Sequence, residues 1–283
     1  MRILRLITAC FAHTCFAAVF ATVALAAQPQ VPTPAPRPTP TGKVSITFDD
    51  GLLSQYEYGR AIVRKYGLPG TLFINTDGIA DTPTGVGERG ATMSWEQVRS
   101  WTDMHWEVGS HSHSHPMLTS VDEHQLREEL GYPAAVMYRN LGFYPTSFAS
   151  PSGDYNDAVL ETVKNLYDNQ VGAWGESDAG EGQNPLTGID HYQVNRLIVT
   201  RDTAVKDVCA AVGRAAKERS WLVLGFHDIV PEPGQSDENK YEVSTDNFEQ
   251  IARCTLGKVL EGAVEAVTVK DALRAIPSLS AQN

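Results

Sequence analysis

The chain is short of cysteine, of positive charge and, beyond its first residues, of long apolar runs. Of the four cysteines, Cys10 and Cys15 fall in the opening segment, which leaves Cys209 and Cys254. Two cysteines permit one bridge in an oxidising compartment, and closing a loop of that size would contribute roughly 4 kcal/mol in the chain-entropy account. Both sit on helix-patterned stretches, so a bridge and two buried thiols stand as equal alternatives. Lys and Arg number 23 against 34 Asp and Glu, a net charge of −11, which speaks against electrostatic binding to nucleic acid or anionic membrane. No second apolar span follows the first, which speaks against a retained membrane anchor. With no repeat of fixed period and no second linker, one large domain acting as a monomer is expected.

The opening "MRILRLITACFAHTCFAAVFATVALAAQ" has two arginines, an apolar stretch and small residues at Ala24 and Ala26. Residues 1–26 therefore read as a secretory signal peptide, and the mature chain is expected to be secreted or periplasmic. Cys10 lies too near the start to follow a full apolar segment, as a lipoprotein would require. Loss of Arg2 and Arg5 takes the net charge from −11 to −13. Residues 27–42 are Pro-rich and read as an extended linker. Residues 43–283, roughly 240 in all, suit a single folded domain.

From Lys43 on, short apolar runs alternate with amphipathic ones: "KVSITF", "TLFIN", "HWEVGS", "TSFAS", "DNQVGAW", "RLIVT", "WLVLGF" and "VEAVTV" as strands, with helices expected at 121–141, 157–166, 204–219 and 247–258. Ser94 with Gln97, and Ser120 with Glu123, have the capping-box spacing of helix starts. This alternation predicts an α/β fold with a mainly parallel sheet, and the number of repeats suits a barrel better than an open sheet. In such folds the chemistry gathers where strands end.

Two strands end on suggestive residues. "VSITFDDG" closes on Asp49 and Asp50, and "VGSHSHSHP" carries three alternating imidazoles. Alone, Asp-Gly after a strand is commonly a turn or a helix cap. The histidine cluster says more, because His111 and His115 have the i, i+4 spacing that lets two imidazoles converge on one ion.

"TFDDG", "SHSHSHP", "SFASPSGDYN" and "WLVLGFHDI" follow in the order and spacing of the motifs of the polysaccharide deacetylase family, the NodB homology domain of carbohydrate esterase family 4, which the chain resembles from Lys43 to about Ile276. The third motif departs from the common Arg-Pro-Pro-Tyr-Gly form. Phe148-Ala149-Ser150-Pro151-Ser152-Gly153 looks closer to a Phe-Ala-Tyr-Pro-Tyr-Gly branch, although it lacks that branch's tyrosines. The resemblance implies a distorted (β/α)7-type barrel and a metal-dependent hydrolase that removes acetyl groups from an N-acetylated polysaccharide. An O-acetyl esterase acting on acetylated xylan, and a glycan-binding member without activity, are the alternatives.

The resemblance also implies site residues. Asp50, His111 and His115 would hold one divalent ion, zinc by preference, with cobalt, nickel or iron also accepted by nitrogen and oxygen ligands. His113 would not be a ligand. Asp49 would be the base, pointing away from Asp50 if the strand continues extended, and His227 the acid. The backbone N–H of Ser152, beside Pro151, would stabilise the oxyanion. Because a flat aromatic face suits a pyranose ring, Trp174 and the "GESDAGEGQNP" loop could form one wall of the sugar groove, with Trp174 as an ordinary core residue the equal alternative. With Ala149 where the motif usually has arginine, Arg196 is the candidate partner of Asp49, with a surface pairing to Asp190 or Asp202 as the alternative. His105, His124 and His191 read as surface residues.

Overall fold

The computed structural model describes residues 42–81, 84–87, 90–172 and 182–276. Residues 1–26, read above as a signal peptide, nearly all of residues 27–42, read as a linker, and Trp174 lie outside the described residues. Numbering only strands of the main sheet, β1 is Gly42–Phe48, β2 Gly70–Ile74, β3 Glu107–Ser110, β4 Ser147–Ala149 and β5 Asn169–Val171. β6 is Gln183–Pro185, β7 Leu197–Ile198, β8 Ser220–Phe226 and β9 Val264–Ala266. The helices are α1 Arg60–Tyr66, α2 Trp95–Thr102, α3 Glu123–Leu141, α4 Asp157–Leu166, α5 Val205–Glu218, α6 Thr245–Leu260 and α7 Val269–Ala275. None of the described helices is long and apolar enough to cross a membrane.

The nine strands form one curled sheet in the order β5-β4-β3-β2-β1-β8-β6, with β9 also pairing β1 and β7 also pairing β8. All pairings are parallel except β8 with β6. The curl stops short of a closed barrel; a single bridge from Val171 to Val194 spans the gap. This is the expected α/β distorted barrel, with its sheet mixed rather than wholly parallel. The antiparallel β6 lies in a segment that sequence reading treated as loop, because "GQNP" has neither alternation nor β-branched residues.

Alternation along the strands sorts two cores. On β1, Val44, Ile46 and Phe48 join the layer beneath α1, α2, α5 and α6, together with Leu72, Ile74, Leu222, Leu224 and Phe226. The intervening Phe73, Trp221 and Val223 fill the sheet's inner side with Ala149, Val171 and Val194. The inner positions of β1 are small and polar. Ser45 Oγ donates to Val267 O and accepts from Trp221 Nε1, and Thr47 Oγ1 donates to Leu224 O. Period-two geometry then places the next inner side chain at Asp49.

Helix starts follow their caps. Ser94 and Gln97 make both bonds of a capping box, worth about 1 kcal/mol in similar cases. At α3 the cap is Asp122, bonding Gln125 N, and not Ser120, which lies in a 3-10 turn over Leu118–Ser120. Two candidate acceptors compete there, and the carboxylate two residues later takes the role. Cys209 on α5 and Cys254 on α6 are joined in a disulfide with Cα atoms 5.9 Å apart.

Candidate metal centre

The site lies where β1, β3, β4 and β8 end and β7 begins, around a cavity of about 330 Å³ lined by Asp49, Asp50, His111, His115, Ser150, Ser152, Gly153, Arg196, Ile198, His227 and Tyr241. Phe48, the residue before the two aspartates, is wedged between Trp106, Phe248, Trp101 and Phe226 at ring distances of 5.4 to 6.1 Å. That packing fixes where β1 ends. Asp49 keeps the inner direction of Ser45 and Thr47. Asp50 does not take the opposite one. Its φ of 71° turns the backbone left-handed, so its carboxylate swings to the same side and both aspartates face His111. The expectation that they diverge fails because the extended run stops at Asp49.

Asp50, His111 and His115 bring one donor atom each within 4.8 Å of the others. Asp50 Oδ1 is 3.7 Å from His111 Nε2 and 3.5 Å from His115 Nε2, close to the edge of a tetrahedron with bonds of about 2.0–2.2 Å. The same Asp50 oxygen is buried without a hydrogen-bond partner, a costly state unless a cation satisfies it. His111 Nδ1 lies 2.7 Å from Ala149 O, which fixes the proton there and leaves Nε2 as the free donor. Burial pushes the His111 imidazole down in pKa, and this outweighs the pull of Asp49 and Asp50 in the other direction. A neutral ring is what a metal ligand requires. The residues fit a divalent cation.

The histidine loop is held in shape from below. Glu129 of α3 accepts from His113 N at 3.0 Å, Ser114 N at 2.8 Å and Ser114 Oγ at 2.6 Å, and Ser112 Oγ accepts from His115 N at 3.0 Å. Ser112 and His115 also have positive φ, 67° and 63°. His113 stands outside the ligand group, its Nδ1 2.9 Å from Thr76 Oγ1 and its ring against Tyr132.

Arg196 is buried and donates through Nη1 to Asp49 Oδ1 at 2.7 Å and through Nε to Gly172 O at 2.6 Å. The surface pairing with Asp190 or Asp202 is not the one formed; Arg201 takes Asp202. Gly225 of β8 makes room for this arrangement, since a Cβ there would lie 2.6 Å from Ile198 Cδ1 and 3.8 Å from Arg196 Nη1. Burial pushes the Asp49 carboxyl up, but Arg196, with His111 and His227 behind it, holds the group well below the usual range. His227 Nε2 sits 3.9 Å from Asp49 Oδ2. Ser152, at φ 53° in the turn Pro151–Gly153, lines the cavity, whereas Pro151 is buried and not among its lining residues. His105 and His124 are exposed; His191 is half-buried, its Nε2 3.0 Å from Ile276 O.

Sequence reasoning missed Gln55, Glu129 and Tyr241. Gln55 is fully buried and donates through Nε2 to Asp49 O at 2.5 Å and to His227 O at 3.1 Å, tying the ends of β1 and β8 together. It opens the π-helical turn Gln55–Gly59, and no local pattern distinguishes it from any polar residue of a first turn.

Residues 36–169 match the family model described as polysaccharide deacetylase. A curated relative, the peptidoglycan-N-acetylglucosamine deacetylase PgdA of Listeria monocytogenes, is 25% identical over 122 residues, covering 43% of this chain. The chain spans about a quarter (24%) of that relative's length. Among solved structures, a family 4 acetyl xylan esterase from Clostridium thermocellum in complex with cobalt is similar in fold, with a TM-score of 0.54 at 18% identity over 85% of this chain and 96% of the other. A family 4 pseudoenzyme from Bacillus anthracis is similar too, with a TM-score of 0.52 at 15% identity over 82% of this chain and 65% of the other. Esterase and pseudoenzyme share the architecture, so the fold alone decides no activity. Over residues 36–169 the chain is thus similar to the polysaccharide deacetylase family, and the curled sheet and the three converging ligands agree with that likeness.

Proposed function

We propose that this protein is an exported hydrolase that removes acetyl groups from an N-acetylated glycan, with a divalent cation, zinc by preference, held by Asp50, His111 and His115. The observation that carries the reading is the pairing of that ligand group with a second buried carboxylate, Asp49, whose own cation is Arg196 at 2.7 Å. One aspartate is assigned to the metal and the other is kept ionised beside it. When bound, the cation supplies a Lewis acid that polarises the acetyl carbonyl and acidifies water.

The chain's own groups do the rest. Asp49 Oδ2 takes a proton from the attacking water as its oxygen bonds to the acetyl carbon. The backbone N–H of Ser152 donates to the carbonyl oxygen as it gains negative charge. His227 Nε2 gives a proton to the nitrogen as the C–N bond breaks, so acetate and a free amine leave. An alkoxide departs from an ester far more readily than an amide anion from an amide, so a placed proton donor favours the amide reading. The curated relative's N-acetylglucosamine chemistry supports the same choice. Export is supported by the leader-like opening segment and by the Cys209–Cys254 disulfide, a bond that persists in oxidising compartments.

Acetate release from chitin oligomers and from acetylated xylan, each with and without chelator, tests the reading. Chelator-sensitive release from the chitin oligomers is expected. Release from xylan alone would make the protein an O-acetyl esterase, and binding without release a lectin-like member. In Asp49→Asn the amide cannot take the proton, so the rate should fall by ~10²–10⁴-fold with metal content unchanged. A fully active variant would remove Asp49 from its role.

A further inference from the structure

We infer that Tyr241 is the platform on which the sugar ring bearing the acetylated nitrogen lies, and that it governs affinity for pyranose substrates. The inference rests on the reading above. Apart from the imidazoles, Tyr241 is the one aromatic ring among the described residues lining the cavity. It is 37% exposed, and its ring centroid is 4.9 Å from that of His227. If His227 delivers the proton to the departing nitrogen, that nitrogen lies within hydrogen-bond reach of the imidazole and the sugar carbon one covalent bond beyond the nitrogen. The acetyl carbon lies on the other side, toward Asp50 and the two histidine ligands. The pyranose therefore has to occupy the side of the cavity that His227 and Tyr241 share, where a flat ring presents its face to the sugar's C–H groups.

The loop carrying Tyr241 is built to hold it still. Its base is a parallel pair, Asp228–Val230 with Glu242–Ser244. Glu242 accepts from Gly234 N at 2.7 Å and from Asn239 Nδ2 at 2.5 Å. Arg201 donates from Nη1 to Gly234 O at 3.0 Å and from its backbone N to Lys240 O at 3.1 Å. Lys240 N bonds Asp237 O at 3.1 Å. The loop folds tightly enough that a Cβ on Gly234 would lie 2.2 Å from Asn239 Oδ1. Such bracing keeps one exposed ring at a set height above His227, so binding costs little ordering.

Steady-state kinetics of the metal-loaded parent, Tyr241→Ala, Tyr241→Leu and Tyr241→Phe test this on an N-acetylglucosamine oligomer and on N-acetylethanolamine, an N-acetyl donor with no ring. For the oligomer, KM should rise roughly tenfold in Tyr241→Ala and severalfold in Tyr241→Leu, with kcat within about twofold and Tyr241→Phe like the parent. Rates on N-acetylethanolamine should not change. Equal losses on both substrates would show that Tyr241 acts only by holding His227, and an unchanged oligomer KM would show that the sugar lies elsewhere; either overturns the inference. A parent inactive on every acetylated glycan would instead sink the functional reading. Tyr241→Leu keeps the apolar bulk and is informative even if Tyr241→Ala fails to fold.

Discussion

β3 is four residues long, and its two ends hold buried charge in opposite ways. At its start, Glu107 accepts from Ser147 Oγ at 2.5 Å, Thr71 Oγ1 at 2.9 Å and Lys270 N at 2.9 Å. At its finish, His111 faces Asp50, whose Oδ1 is buried with no hydrogen bond at all. Burial pushes the Glu107 carboxyl up, and its three donors only partly offset this. Asp49, equally hidden, is driven the other way by Arg196. Among the described residues, four of the six non-glycine residues with positive φ, namely Asp50, Ser112, His115 and Ser152, sit at the finishing end. The starting end, with His105 and Arg219 left-handed, leaves an amide oxygen of Asn169 unpartnered but satisfies its carboxylate with three donors; the finishing end gathers more left-handed residues and leaves a carboxylate oxygen unpaired. Strain and unmet polar groups are tolerated where they serve binding or chemistry, so the contrast locates the working end of the sheet without reference to any relative.

Asp50→Ala should break the contrast most completely. Stoichiometric cobalt or zinc binding, followed by calorimetry, should be lost together with activity. The metal-free variant should be no less stable than the metal-free parent, because the oxygen removed has no partner in the fold. Retained stoichiometric binding would show that the ligand set is wrong.

Arg196→Ala should come next, with metal content unchanged. Removing one partner of a buried pair costs about 3–5 kcal/mol of stability in comparable cases, measurable by denaturant unfolding. Asp49 has a depressed folded pKa, so its pairing stabilises the protein above the ordinary aspartate range and that gain is lost only as pH falls through the depressed value. Without the guanidinium the pKa rises. The acidic limb of the pH–rate profile should then move to higher pH while the rate falls. A variant matching the parent in rate, profile and stability would reduce Arg196 to a structural bystander.

Glu107→Gln should be the smallest change, and it sharpens the comparison from the other end. Activity per folded molecule should match the parent. Because the folded pKa of Glu107 is raised, its ionised form weighs against the fold above that pKa, and the penalty fades as pH falls through it. The parent should therefore gain stability on the variant with acidification, the gain being complete below the ordinary glutamate range. A stability difference that ignores pH would mean that Glu107 does not titrate differently in the two states.

What was legible in the sequence follows from local chemistry. Strands of alternating β-branched residues announce themselves, and so do a capping box at Ser94 and two imidazoles four residues apart. Arg196 was reachable because a carboxylate beside a cation site needs a partner and Ala149 could not supply one. What escaped depended on geometry that no local pattern encodes. The left-handed turn at Asp50 reverses a side chain that alternation would have sent outward. Gln55 and Glu129 act on backbone groups outside their own helical turns, at Asp49, His227, His113 and Ser114, and backbone groups look alike in every sequence. The antiparallel β6 owes its existence to the edge that β8 offers, and not to its own residues.

The arrangement of partners around β1 also has a consequence in time. The strand that ends in the two aspartates finds β2 within thirty residues, but its other flank is β8, and its first residues pair with β9 near the end of the described chain. Lys43 and Glu265, joined by an ion pair, are 222 positions apart. Contacts of such range are slow to form. A chain emerging N-terminus first therefore carries Asp49 and Asp50 for most of its synthesis on a strand with one neighbour. The corner where the metal ligands converge is therefore among the last parts of the molecule to be completed.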